Sequence, residues 1–135
     1  MPLGRKVAEE DICEADVVIY VISRISGEGK DRRKVKGDYY LSEREEEDLR
    51  YLAEMNKPVI LILNAGGPVE LTDILEQTDN IKGILNISQL GQEGGDALAD
   101  VLLGKEVPGG KLTTTWARRY EDYPASEEYG YLNGN

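Results

Sequence analysis

Two apolar runs constrain the fold of this chain most. "DVVIYVIS" (16–23) and "PVILIL" (58–63) are β-branched and apolar at successive positions rather than alternate ones. Strands buried on both faces of a parallel sheet read this way. "IKGILNIS" (81–88) is a weaker third run. Between the first two lies "LSEREEEDLRYLAEMNK", where Ser42 and Glu45 have capping-box spacing and the acidic first turn suits the positive end of a helix dipole. Leu49, Leu52, Ala53 and Asn56 then fall near one helical face, with Met55 beside them. The spacing predicts a crossover helix.

The alternation continues down the chain. "NAGGPVELTDILEQ" predicts a glycine-rich turn, Pro68 at a helix start where a missing N–H costs little, and a short helix ending near Gln77. After the third strand, "GQEGGDALADVLLGKEVPGG" predicts another turn and a helix carrying Ala97, Leu98, Val101 and Leu102, closed by Gly104. "KLTTTW" (111–116) alternates as an edge strand does. Residues 117–135 form an irregular, polar, tyrosine-rich tail suited to running across something else. Strand, loop and helix in threefold succession imply an α/β fold: a three-layer sandwich on a mostly parallel, right-handed doubly wound sheet. At 135 residues, one domain accommodates 1–135 without disulfides or a structural metal.

Composition removes whole classes of chemistry. There is no histidine, and Cys13 is the one cysteine. Disulfide scaffolds, Cys/His zinc sites and every Ser-His or Cys-His nucleophile are thereby excluded. Net charge of −10 opposes nucleic acid and anionic lipid as partners. No stretch reaches the roughly 18 to 20 apolar residues of a membrane span, and the N-terminus lacks a signal-peptide run. The expectation is a soluble, cytoplasmic protein with no cofactor and no metal, its chemistry resting mainly on carboxylates.

In a sheet of this kind, ligands meet the loops that follow the carboxyl ends of the strands. Those loops are "RISGEGKDRRKVKGDYY", "NAGGP" and "QLGQEGG", all expected on one rim. Glu28 stands between Gly27 and Gly29, neighbours that permit left-handed backbone and leave the carboxyl unobstructed. It reads either as a protruding catalytic acid or as a solvated surface charge, and the residues alone leave that choice open. The glycines of "NAGGP" and "GQEGG" match neither a dinucleotide fingerprint nor a P-loop, and Glu93 repels an anion, so they read as structural. Asp31, Asp38 and Glu28 make a poor hard-cation cage among Lys30, Arg32, Arg33, Lys34 and Lys36. Those cations either pair with carboxylates or, by default, are simply solvated. Tyr39 and Tyr40 suit a sugar-lined cleft and packing at the helix start equally well.

Taken in order, "ADVVIYVISRISGEGKDR", "GDYYLSEREEEDLR", "NKPVILILNAGGPVEL", "GQEGGDALADVLLGKEVPGGKLTTTWA" and "YEDYP" resemble the C-terminal α/β sandwich domain of glycoside hydrolase family 3. The resemblance runs from about Ala15 to Pro124 and includes many β-glucosidases. It implies a hydrolase of carbohydrate metabolism: a retaining glycosidase whose aspartate nucleophile lies on a separate (β/α)8 barrel, with an acid/base glutamate from the sandwich domain. Carried onto this sequence, "SGEG" places the acid/base at Glu28. Asp31 and Arg32 fall in the same stretch as loop-ordering or subsite residues, with surface solvation as the alternative. No barrel and no nucleophile motif occur in these residues, so the resemblance implies half an active site, inactive alone.

The implied partners are a β-glucoside or oligosaccharide substrate and the barrel. The sandwich also looks trimmed relative to the family domain, which implies exposed edges and possible self-association. Two other readings remain: a noncatalytic module that binds a sugar or a partner domain, and a purely structural fragment.

Overall fold

The computed structural model describes residues 12–25, 27, 29, 32–124 and 126. Three strands form a parallel sheet in the order β1 (Val18–Ser23), β2 (Val59–Asn64), β3 (Ile81–Asn86). The apolar runs therefore become strands at the predicted places. β1 and β2 pair without interruption from Val18↔Val59 to Ser23↔Asn64, whereas the β2–β3 register shifts between Val59 and Ile60. Helix α1 (Glu43–Glu54) connects β1 to β2, α2 (Thr72–Gln77) connects β2 to β3, and α3 (Gly94–Leu102) follows β3. This is the α/β arrangement expected.

Both crossover helices pack into one core. Ile22 of β1, Val59, Leu61 and Leu63 of β2, Leu49 and Leu52 of α1 and Ile74 of α2 are buried together. Period-2 alternation sends Val18, Tyr20 and Ile22 toward the helices. Tyr20 brings a polar tip into this layer and resolves it by donating to Asp48 Oδ2 at 3.1 Å. Ile19 and Val21, on the opposite side of β1, remain about half exposed.

The capping box forms as predicted. The Glu45 amide donates to Ser42 Oγ at 3.2 Å, and Glu45 Oε2 accepts from the Ser42 amide at 2.8 Å. Asn56 departs from expectation: α1 stops at Glu54, and Asn56 takes φ 52° beyond the Met55 cap, exposed rather than on the buried face. An asparagine tolerates this left-handed turn at a helix end. α2 likewise begins later than Pro68 suggested. Its first residue is Thr72, and Pro68 lies in the loop before it. Gly104, with φ 71°, ends α3 by donating to the Val101 carbonyl at 3.0 Å, as expected.

Residues 111–116 are not an edge strand. They lack a ladder partner among the described residues, and Leu112 and Trp116 instead border a cavity of about 690 Å³ with Leu63, Ile84, Leu98 and Val101. Alternation alone does not make a strand: the segment pairs with neither outer strand, β1 nor β3. The described part of the tail folds back on its own domain. A 3₁₀ turn (Tyr120–Asp122) sets Tyr120 edge-on to Tyr39 at 5.3 Å between ring centroids, and the Tyr120 amide donates to Glu70 Oε2 at 2.9 Å. Arg119 pairs with Asp73 at 3.0 Å, and Thr72 donates to the Arg118 carbonyl. Among the described residues no helix is long and apolar enough to cross a membrane.

Candidate functional site

The three strand-end loops meet on one rim, and β1 sets its position. Arg24, immediately after β1, extends the ladder by donating its amide to the Asn64 carbonyl at 3.0 Å. Its side chain turns inward and is only 8% exposed. An arginine this deep requires acceptors for its five N–H groups. Two bonds of 2.7 Å reach the two carboxylate oxygens of Glu45, a bidentate pair. Others go to the carbonyls of Ser23 at 2.9 Å, Asp38 at 2.7 Å and Tyr40 at 3.3 Å. Glu45 thus closes the helix cap and neutralises Arg24 at once. Its partial burial opposes ionisation, but the bonds from Arg24 and the Ser42 amide outweigh this and hold its carboxyl below the usual value.

The first loop leaves from Arg24 and returns at Arg32. Arg32 donates Nε to Asp38 Oδ1 at 2.8 Å, Nη1 to the Pro68 carbonyl at 2.6 Å and Nη2 to the Asp38 carbonyl. The Pro68 contact ties the first loop to the second. Gly66 and Pro68 of the second loop and Ser88 of the third border a common cavity, which completes the rim. Beside the feet of the first loop, a cavity of about 500 Å³ is lined by Ser23, Arg24, Ile25, Arg32, Arg33 and Asp38. Ile25 is 97% exposed, an unusual setting for a large aliphatic side chain at the start of a polar loop.

Glu28 and Asp31 lie outside the described residues. Their neighbours Gly27 and Gly29 are within them; both are exposed, and Gly29 has φ 72°, the left-handed backbone anticipated for a glycine here. Arg32 makes three hydrogen bonds at the loop base.

Among the described basic loop residues, Arg32, Lys34 and Lys36 pair with carboxylates, whereas the Arg33 side chain stays 79% exposed. Arg32 and Arg33 face Asp38, Lys34 bonds Glu121, and Lys36 lies 3.2 Å from Glu46; Lys30 lies outside the described residues. Asp38 also accepts the Arg33 amide at 2.8 Å. Desolvation opposes its ionisation, but that amide and the Arg32 guanidinium prevail and hold its carboxyl below the usual range. Among the described residues no cluster of three or more Asp, Glu, Cys or His side chains is arranged to hold a metal ion.

Tyr39 is buried, edge-on to both Tyr40 and Tyr120, so packing accounts for it. In "GQEGG" a Cβ at Gly94 would collide with Leu90, which gives that glycine a packing role, whereas Gly91 and Gly95 have nothing within 4 Å. The Arg24–Asp38–Glu45 network was missed in the sequence. Its available signal was a charged residue directly after an apolar run that must be buried: such an arginine needs a carboxylate nearby.

Residues 4–134 match the family model described as glycosyl hydrolase family 3 C-terminal domain. The chain is 39% identical over 137 residues to "Beta-glucosidase A" of Butyrivibrio fibrisolvens, a match covering 85% of this chain and 16% of that protein. It is 38% identical over 104 residues to "Probable beta-D-xylosidase 6" of Arabidopsis thaliana, covering 76% and 13% respectively. The structure of beta-glucosidase 3B from Thermotoga neapolitana in complex with glucose matches with a TM-score of 0.74 and 45% identity, over 88% of this chain and 17% of that one. The chain thus spans less than a fifth of the length of these relatives.

Proposed function

This chain belongs to the glycosyl hydrolase family 3 C-terminal domain family, and from that premise we propose that it is the acid/base-bearing domain of a retaining β-glycosidase, β-glucosidase-like, with Glu28 as the general acid/base. It works together with a (β/α)8 barrel that supplies an aspartate nucleophile and does not hydrolyse glycosides alone. The observation that carries the reading is where the flanks of "SGEG" are held: Arg24 directly follows the carboxyl end of β1 and Arg32 is anchored with it on Asp38, on the rim where α/β sheets bind ligands. Among the relatives, the names "Beta-glucosidase A" and "beta-glucosidase 3B" favour a β-glucoside as substrate.

A retaining mechanism needs two carboxyls about 5 to 5.5 Å apart across the scissile bond. A glycine-flanked loop delivers one of them from a neighbouring domain. While the nucleophile is ionised, like-charge repulsion and partial desolvation raise the Glu28 pKa, so that it holds a proton for the departing oxygen. Forming the glycosyl–enzyme bond removes that negative charge. Glu28, now deprotonated, takes a proton from the water that attacks the anomeric carbon, and the nucleophile's carboxylate is released. Arg32 orders the loop in this reading, and Asp31 is a subsite or loop-ordering residue beside it.

The test is hydrolysis of a chromogenic aryl β-glucoside by the chain alone and mixed with a separately expressed family barrel domain, each repeated with Glu28→Ala. Activity confined to the mixture and strongly reduced by the substitution is the expected result. Robust hydrolysis by the chain alone, or activity in the mixture indifferent to Glu28→Ala, would overturn it. Sugar binding that survives Glu28→Gln without any contribution to turnover would favour the noncatalytic module instead.

A further inference from the structure

Asp38 is where the two ends of the first loop meet. Glu28 stands four residues from Arg24 and four from Arg32, and both arginines donate to the Asp38 carbonyl, Arg24 through Nε at 2.7 Å and Arg32 through Nη2. The carboxylate of the same residue takes Arg32 Nε at 2.8 Å on one oxygen and the Arg33 amide at 2.8 Å on the other. One residue therefore offers three acceptor atoms to donors on both sides of the loop.

Asp38 is itself held firmly. The tight turn around it is closed by bonds from the Asp38 and Tyr40 amides to the Val35 carbonyl, each 3.2 Å, and from the Gly37 amide to the Tyr40 carbonyl at 3.0 Å. Gly37 takes φ 79° to make the turn. Behind it, Arg24 is locked to Glu45 at the start of α1. The chain from β1 to α1 is thus cross-braced at one point, and the excursion from 25 to 31 leaves and re-enters through it.

We propose that Asp38 is a positioning residue that fixes the base of the Glu28 loop and so sets where the acid/base carboxyl meets the glycosidic oxygen. This rests on the reading of Glu28 as the acid/base. Placement matters because displacing a catalytic group by about 1 Å costs on the order of 100-fold in rate. A misplaced acid also has a distinctive signature. It slows departure of a poor leaving group, which needs a proton as the C–O bond breaks, and scarcely affects one that leaves as a stable anion.

The experiment compares the wild-type chain, Asp38→Asn, Asp38→Ala and Glu28→Ala, each mixed with the barrel domain, on phenyl and 2,4-dinitrophenyl β-glucosides. Asp38→Ala is expected to lower kcat/KM on the phenyl substrate by about 10- to 100-fold and to leave the dinitrophenyl substrate within a few-fold. Both variants keep the backbone carbonyl shared by Arg24 and Arg32 and test the carboxylate's bonds to Arg32 and the Arg33 amide; Asp38→Asn, which retains one side-chain oxygen acceptor but not the charge, falls between. Equal losses on the two substrates, or none, would overturn the proposal. Glu28→Ala without leaving-group selectivity would sink the acid/base reading itself; selectivity in Glu28→Ala but not in either Asp38 variant sinks only the positioning role.

A second measurement uses the chain alone. Backbone ¹⁵N order parameters at Gly27 and Gly29 are expected to drop by about 0.2 in the Asp38 variants, while those of β2 and α1 hold. Unchanged values in Asp38→Asn and Asp38→Ala would refute the bracing whether or not the mixture turns over substrate. Should Asp38→Ala fail to fold, Asp38→Asn carries both comparisons.

Discussion

Replacing Arg24 by alanine should unsettle this domain more than any other change of a charged residue near the site. The side chain makes five hydrogen bonds, two of them to the Glu45 carboxylate. Removing one partner of a buried pair costs about 3 to 5 kcal/mol, because the other charge is left desolvated. Glu45 keeps the Ser42 amide at 2.8 Å, and its side chain retains 15% exposure, so the lower limit applies, about 3 kcal/mol. In urea this moves the unfolding midpoint down by about 1 to 3 M at unchanged slope. A double-mutant cycle with Glu45→Ala should return a coupling above about 1 kcal/mol, since the two residues share one interaction.

The same pair governs stability in acid. Glu45 has its folded-state pKa depressed below the ordinary 4.5. Its contribution is therefore fully present above that value and disappears as pH falls through the lower folded value. Wild-type stability should drop in that window, and Arg24→Ala should flatten the drop because the depression loses its main charged cause. A loss under about 1 kcal/mol, no coupling in the cycle, or an acid limb unaltered by the substitution would refute the argument.

Leu52→Ala removes a fully buried α1 side chain and should cost about 2 to 5 kcal/mol, read as a lowered urea midpoint; a smaller loss would mean that the core collapses around the gap. Ser42→Ala deletes the capping hydroxyl and should cost about 1 kcal/mol, measured the same way and accompanied by faster exchange of the Glu45 amide. Gly37→Ala meets only an ordinary contact, Ser42 Cβ at 3.7 Å, but demands a left-handed backbone, so about 1 to 2 kcal/mol is expected, and a neutral result would mean that the turn can invert. Gly94→Ala forces the Leu90 side chain to move and should lower the melting temperature, whereas Gly95→Ala, with nothing nearby, should not lower it.

Much of this molecule was legible along the chain because the relevant physics is local. Successive β-branched residues marked β1 and β2, and the three-residue offset between Ser42 and Glu45 forecast both bonds of the α1 cap. Gly104 announced the end of α3, and glycines around Glu28 marked the loop leaving β1. Each signal spans only a few positions, the range over which one turn of helix or one pleat of strand constrains its neighbours.

Pairing across the fold was not legible in this way. The capping-box spacing marks Glu45 as the cap of α1 but says nothing of Arg24, and only closure of α1 against β1 brings the two together across 21 residues. Arg32 finds the Pro68 carbonyl at a separation of 36 residues, and Tyr120 finds Glu70 at 50. For the same reason "KLTTTW", alternating as a strand should, became the wall of a cavity, and the tail turned back onto Tyr39. By itself, then, the sequence determined the strands, the helix caps and the loop carrying Glu28. Tertiary structure decided that Asp38 and Arg24 brace that loop, because which charges meet depends on how the backbone closes in three dimensions, and local periodicity does not encode that closure.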